Sequence, residues 1–288
     1  MTDQSYALVT KTWRGDLTAF RALCESVDMH MPTTRHYVLH DTSDAALLVP
    51  FASDTRVLVD TGELFPQFRE LQVFGRRLWW LAPMRPVRGW IFQQLAKLAF
   101  VARMAEDAAV LVDSDAVLLR PIERHHVFAE GKTRHFRDPG APTGPAGQGA
   151  AWHDVAARAL GLEQRGYSGA DYISNPLVWS PQVARALLAH IEETTGAPWY
   201  SELVKPLRFS EYVLYGMFCD HVSGPHRELI IPTAERLALI SWGYDLSGDD
   251  GVDDFISAIG DKPAILIQSN LGLSAERRQE IVARAMAR

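Results

Sequence analysis

The chain has 288 residues, of which 47% are hydrophobic and 22% are charged, and its formal net charge is −6. This length suits one large α/β domain, and the acidic balance argues against a nucleic-acid-binding protein, which normally has a basic face. No run of about eighteen apolar residues predicts a membrane span. The polar first residues predict no signal peptide. Cys24 and Cys219 read as reduced core thiols, so we expect a soluble, cytoplasmic protein.

The first third of the chain predicts three buried strands, at residues 6–10, 36–41 and 56–60, each followed by polar residues. Asp16 is expected to cap a helix that begins at Leu17. Strands that alternate with helices predict a mostly parallel sheet, and ligands of such folds bind beyond the carboxyl ends of the strands. A helix at 90–102 follows, with an apolar stripe on one side and Lys97 off that stripe. Lys97 either lies near the site or is a solvated lysine.

Residues 108–121 contain the central motif, a buried apolar strand that runs into Asp113-Ser114-Asp115 and then into a second apolar run. In an extended segment the side chains of Asp113 and Asp115 point the same way, so both carboxylates can face one point. Two such carboxylates at the edge of an apolar core repel each other unless a cation or hydrogen-bond donors offset them. A divalent ion that also binds phosphates is a natural partner. The alternative is that one Asp caps a turn and the other is solvated.

The second half contains further candidates. Residues 131–149 are rich in Gly and Pro and predict a loop, or a lid over the substrate. Asp171 precedes a predicted strand at 172–179, and it is either a contact to the acceptor or a turn residue. Ser210 is a good helix cap, which places Glu211 in the first turn of a helix as a candidate base, sugar ligand or plain surface residue. A last strand runs from 264 toward Asn270, and residues 274–288 predict a terminal helix.

The strand into Asp113-Ser114-Asp115, the Gln-Gln-x-x-Lys helix and the Ser-Glu-Tyr-x-x-Tyr-Gly stretch at 210–216 resemble glycosyltransferases of the GT-A fold. Within that group they resemble an uncharacterised bacterial glycosyltransferase-like family, and the resemblance spans most of the chain. It implies a single α/β domain over 1–288 with a mostly parallel sheet flanked by helices. It also implies transfer of a sugar from a nucleotide-diphosphate-sugar donor to an acceptor such as a bacterial surface glycan or a small molecule.

The resemblance also assigns roles. Asp115 would be the direct ligand of Mn2+ or Mg2+, Asp113 would contact the ribose of the donor or the ion, and the ion would stabilise charge on the leaving diphosphate. Glu211 would be the base and Asp171 a second catalytic residue near the acceptor. The remaining residues would bind the donor or its cofactor: Thr10, Lys11, Thr12, Lys97, Ser114 and Gly169.

One departure from the resemblance concerns the metal. Many GT-A enzymes supply a further ligand from a histidine near the C-terminus, whereas the last strand here ends in Gln268-Ser269-Asn270. Gln268 takes that place, water fills it, or the protein binds metal poorly. The last option leads to one alternative function, a non-catalytic GT-A-like binding domain.

A second alternative is a haloacid-dehalogenase-like phosphatase with Asp113 as nucleophile and Asp115 as general acid. Its second acidic motif would be Gly248 to Asp253. We interpret residues 249–254 instead as a solvated loop with a helix cap.

Overall fold

A five-stranded sheet forms the centre of the computed structural model, which describes residues 4–141, 148–163, 166–206 and 208–288. The strands of the whole chain are β1 (Tyr6–Lys11), β2 (His36–His40), β3 (Arg56–Asp60), β4 (Arg69–Val73), β5 (Arg76–Trp80), β6 (Val87–Arg88), β7 (Ala108–Leu111), β8 (Ala116–Leu118), β9 (Phe128–Ala129), β10 (Lys132–Phe136), β11 (Asp138–Pro139), β12 (Ala170–Asp171), β13 (Leu177–Trp179), β14 (Ile230–Thr233), β15 (Ala238–Ile240) and β16 (Ala264–Leu266). The order in the central sheet is β13-β7-β1-β2-β3, and only β13 is antiparallel to its neighbour. The predicted parallel sheet is confirmed.

Helices cover both faces of this sheet. They are α1 (Leu17–His30), α2 (Ala45–Leu48), α3 (Thr61–Leu64), α4 (Gly89–Val101), α5 (Arg124–Val127), α6 (Gln148–Ala159), α7 (Pro181–Thr195), α8 (Trp199–Leu203), α9 (Glu211–His221), α10 (Asp249–Ser257) and α11 (Ala275–Met286). Alternate residues of β1 and β7 join two different apolar clusters, one with α4, α7 and α9 and one with α1. This alternation is expected of strands that are buried on both faces. In the part of the chain that the structure describes, no helix is long and apolar enough to cross a bilayer.

A second, three-stranded sheet lies beyond the central motif. Its order is β15-β16-β8, with β8 antiparallel to β16. Helices α10 and α11 contribute to the apolar cluster on this sheet, through Val252 and Ile281 among others. Since β7 belongs to the central sheet and β8 to the second sheet, the Asp113-Ser114-Asp115 segment joins the two.

Three predictions about secondary structure were wrong in part. The segment 131–149 contains β10, β11 and the start of α6, and residues 142–147 lie outside the described part, so a lid there stays a prediction. The acidic segment at 249–254 is helical, and Asp249 and Asp253 pair with Arg277 and Arg284 of α11. The strand predicted at 172–179 is limited to β13, which starts at Leu177.

Candidate active site

The Asp113-Ser114-Asp115 segment is a turn rather than the end of an extended strand. The Ala116 amide donates to the Asp113 carbonyl, with N and O 3.1 Å apart, which closes the turn between β7 and β8. The prediction that both side chains point the same way because the backbone is extended was therefore wrong. Asp113 is directed to Lys97 and Asp115 to the chain after β16, although the two carboxylates still repel each other.

Lys97 is a buried cation at the centre of the site. Its Nζ lies 2.8 Å from Oδ1 of Asp113, 3.3 Å from Oε1 of Glu211 and 2.7 Å from the hydroxyl of Tyr212. Burial alone would lower the pKa of Lys97, but the two carboxylates and Tyr212 hold it well above its usual value. Lys97 is therefore charged, and the interpretation of a solvated lysine is wrong. Asn175 completes the contact to the turn, since its Oδ1 accepts from the Asp113 amide at 2.8 Å.

Glu211 begins helix α9, as the sequence predicts. The Ser210 side chain accepts from the Val213 amide, and the Glu211 amide donates to Oε1 of Gln94 on α4 at 3.0 Å. The Glu211 side chain is buried, and burial raises its pKa while Lys97 opposes the rise. A buried carboxyl with a raised pKa, paired with a lysine, has the properties of a general base or of a ligand for hydroxyls.

The rest of the Ser210-to-Gly216 motif fixes α9 in place. The Tyr215 ring stacks on Trp179 of β13 with centroids 4.7 Å apart, and its hydroxyl accepts from the Ser180 amide. A Cβ on Gly216 would lie 2.2 Å from the ring of Tyr172, so this face of the helix has room only for glycine. The motif therefore holds Glu211 against α4 and β13.

Asp115 sits in a different environment from Asp113. Its Oδ2 accepts from the Ser269 amide at 2.9 Å, and its carbonyl accepts from the Ile267 amide. Burial and the negative charge of Asp113 raise the pKa of Asp115 to about 6, with a smaller rise due to Asp16. Arg278 of α11 opposes this effect and donates to the carbonyls of Ile267 and Gln268.

Asp16 was expected to cap α1 and does not. Its carboxylate accepts from the Ser114 hydroxyl at 3.0 Å, and α1 has no side-chain cap. Burial raises the pKa of Asp16 as well. Ser114 is thus committed to Asp16.

These residues leave negative charge unbalanced. Four carboxyl groups, of Asp16, Asp113, Asp115 and Glu211, face two cationic side chains, those of Lys97 and Arg278. Two negative charges therefore remain when all are ionised. In the described part of the chain, no three His, Cys, Asp or Glu side chains are grouped closely enough to hold a metal ion. Mg2+, however, usually takes one or two protein carboxylates and completes its shell with water and phosphate oxygens, so this acidic turn fits it.

The residues predicted to follow the first strand have mixed surroundings, and two of them, Thr10 and Lys11, belong to β1 itself. Thr10 is buried, with its hydroxyl 2.9 Å from Nε2 of His36. The Lys11 ammonium is buried 2.8 Å from Oδ1 of Asp41. The Thr12 hydroxyl is buried and has no hydrogen-bond partner among the described residues. Of the three, Thr12 is the residue whose polar group is uncommitted.

The other predicted residues lie in two places. Asp171 pairs with Arg236 at 3.5 Å and accepts from the Ile173 amide, and it forms β12 opposite Asp138. Gly169 has a φ of +86° and precedes this strand, and its carbonyl accepts from the Gly140 amide. These contacts put Asp171 in an ion-pair cluster different from that of Lys97 and Glu211. Gln268 is next to Ser269, so it adjoins Asp115.

Sequence reasoning missed several residues that hold the site together. Gln94, Asn175, Tyr212, Asp16 and Arg278 each touch or oppose one of the charged groups. Gln94 and Tyr212 lie in motifs that the sequence singled out, at one helical turn before Lys97 and one residue after Glu211. Asn175 and Arg278 carry no local signal, because only the folded chain brings them to the acidic turn.

Comparisons with known proteins identify a family and similar solved structures. Residues 6–230 match the sequence model of a family described as "Family of unknown function (DUF6492)". No curated protein matches the chain. Among solved structures, the galactosyltransferase LgtC in a complex with donor and acceptor sugar analogues is similar at 12% identity, with 96% of this chain and 95% of that chain covered and a TM-score of 0.48. An active-site mutant of LgtC is similar at the same identity and coverage, with a TM-score of 0.51. The second likeness confirms the predicted GT-A fold.

Proposed function

The chain belongs to a family of unknown function, DUF6492, and has the GT-A fold, and we propose that it transfers a sugar from a nucleotide-diphosphate-sugar donor to an acceptor. The observation that supports this most strongly is the excess of negative charge at the turn between β7 and β8. It lies beyond the carboxyl end of a parallel strand, where α/β folds bind nucleotides. A divalent cation would balance these two charges, and its remaining coordination positions would be open to the oxygens of a diphosphate.

In this proposal Asp113 and Asp115 would hold Mn2+ or Mg2+, with Gln268 as a neighbouring oxygen ligand. The ion supplies a positive charge that stabilises the diphosphate leaving group. Each Asp has one carboxylate oxygen engaged, by Lys97 or by the Ser269 amide, and among the described residues the other oxygen has no hydrogen-bond partner. The buried Thr12 hydroxyl, which lacks a partner in the described chain, is available to the nucleotide at the end of β1.

Glu211 is proposed as the residue that takes a proton from the acceptor hydroxyl or orients that hydroxyl. The raised pKa of Glu211 makes its carboxylate a stronger base, and the positive charge of Lys97 favours the ionised form that accepts a proton. Lys97 contacts both Asp113 and Glu211, so it is proposed to fix the distance between the donor and acceptor ends of the site. Asp171 and Gly169 are proposed to lie on the acceptor side, outside this cluster.

The test is titration calorimetry with uridine and guanosine diphosphates, with and without Mn2+, followed by a panel of nucleotide sugars scored for donor hydrolysis. The wild-type protein should bind one of the two nucleotides only when Mn2+ is present. Asp115→Asn should abolish this Mn2+-dependent binding. Asp261→Asn, an exposed aspartate beyond α10, is the matched control and should behave as wild type.

The outcomes separate the alternatives. A protein that binds no nucleotide under either condition would be a non-catalytic binding domain. Phosphate release from simple phosphate esters, through an aspartyl-phosphate on Asp113, would identify a phosphatase instead. Asp249 and Asp253 are largely exposed on helix α10 and pair with Arg277 and Arg284 of α11, which favours the transferase over the phosphatase.

A further inference from the structure

The three-stranded sheet β4-β5-β6 packs one of its faces on the protein. On that face Trp79 stacks on Phe92 of α4 with ring centroids 4.7 Å apart, and Val87 is buried beside it. Arg77 on the same face pairs with Asp41 and with Asp44, at 2.9 and 2.8 Å. These contacts attach the sheet firmly to the carboxyl edge of the central sheet.

The opposite face is basic and apolar. Cross-strand neighbours share a face, and the register pairs Arg69 with Trp80, Leu71 with Leu78, Val73 with Arg76, and Leu78 with Arg88. One face therefore carries three arginines among four apolar side chains: Arg69, Arg76, Arg88, Leu71, Val73, Leu78 and Trp80. The three arginines are exposed and pair with none of the described acidic residues.

Among the described residues, the apolar side chains of this outer face pack into no core cluster, although the Trp80 indole donates to the Met84 carbonyl at 2.6 Å. Leu71, Leu78 and Trp80 are half-buried and belong to none of the three core clusters, nor to the residues packed against them. Phe74 at the tip of the β4–β5 hairpin is fully exposed, with a relative exposure of 101% and a positive φ of 48°. A glycine or an asparagine would suit a positive φ better, and a fully exposed phenylalanine ring buries no apolar surface. Phe74 therefore does not stabilise the fold.

We propose that the outer face of β4-β5-β6, with Phe74 at its tip, binds the surface of an anionic lipid bilayer. The negative surface potential of such a bilayer attracts arginine side chains, while tryptophan and phenylalanine side chains enter its interfacial region. The face holds three positive charges and no acidic side chain in a protein whose net charge is −6, so its charge is opposite to that of the whole chain. That overall charge also disfavours nucleic acid as the partner. This binding is independent of the proposed transferase activity.

The test is co-sedimentation of the full chain with vesicles of phosphatidylcholine, with and without phosphatidylglycerol, at low and high salt. Wild type should bind the anionic vesicles, and salt should weaken that binding. Each arginine near an anionic surface contributes about a fivefold increase in affinity, so the triple variant Arg69→Gln, Arg76→Gln, Arg88→Gln should bind about a hundredfold more weakly. The matched control is the triple variant Arg158→Gln, Arg208→Gln, Arg227→Gln, which removes three exposed arginines elsewhere and should retain at least a tenth of wild-type affinity.

A second variant tests the apolar part. Phe74→Asn suits a positive φ and leaves the hairpin intact, but it should reduce binding by about tenfold because it removes the inserted ring. Wild-type protein that binds neutral and anionic vesicles equally, or neither, would overturn the proposal. So would binding to a single-stranded oligonucleotide in preference to vesicles. A dimer that dissociates on Phe74→Asn, without vesicle binding, would show instead that a second copy covers this face.

Discussion

Replacing Asp115 with asparagine removes a charge that is costly for the fold, and it keeps the size of the side chain and the acceptor for the Ser269 amide. The pKa of this carboxyl rises from 3.8 to about 6, so the folded state prefers the neutral form. A carboxyl whose pKa is raised by folding carries no penalty below its unfolded pKa and the full penalty above its folded pKa. The penalty therefore develops between about pH 4 and about pH 6 and reaches about 3 kcal/mol at pH 8.

Asp115→Asn should consequently stabilise the metal-free protein by about 3 kcal/mol at pH 8 but by only about 1 kcal/mol at pH 4.5. Urea unfolding at the two pH values, in the presence of a chelator, measures this difference of about 2 kcal/mol. Asp261→Asn should show no such difference. If Asp115→Asn changed stability equally at both pH values, or destabilised the protein more at pH 8, the account of Asp115 as a repelled carboxylate would be refuted.

Three further predictions concern the same site. Glu211→Gln should abolish turnover while donor binding by calorimetry is retained, and unchanged turnover would remove Glu211 from the mechanism. Lys97→Met should destabilise the protein by about 3–5 kcal/mol in urea, since it leaves the carboxylates of Asp113 and Glu211 without their buried cation, and a loss below about 1 kcal/mol would contradict the ion-pair account. Gly216→Ala should cost about 1–3 kcal/mol because its Cβ would overlap the Tyr172 ring, and a wild-type urea midpoint would show that the helix can shift.

The sequence predicted the parts of the fold that carry a local signal. The strands β1, β2 and β3 and the buried strand before Asp113 were recognised from apolar runs that end in polar residues, and α4, α7 and α11 from periodicity and capping. The sheet β4-β5-β6 was missed, although Leu71 and Val73 alternate with polar residues, because its arginines dilute the apolar pattern of a strand.

The candidate site was predictable in its charged residues and unpredictable in its geometry. The sequence identified Lys97, Asp113 and Glu211, and in the fold both carboxylates lie within 3.3 Å of Lys97 Nζ. The sequence predicted an extended backbone for Asp113 and Asp115, whereas the hydrogen bond from the Ala116 amide to the Asp113 carbonyl closes a turn there. That error arose because the turn depends on β8 pairing with β16, and a contact between segments so far apart in the chain leaves no mark on the local sequence.

The family match ends at residue 230, yet the Ser269 amide, the Ile267 amide and Arg278 all lie past that boundary. Three of the groups that surround Asp115 are thus supplied by the part of the chain that the shared sequence pattern omits. Relatives with the same acidic turn but another final segment would surround that carboxylate with other donors. Affinity for cations could then diverge within the family while every motif that defines membership stays unchanged.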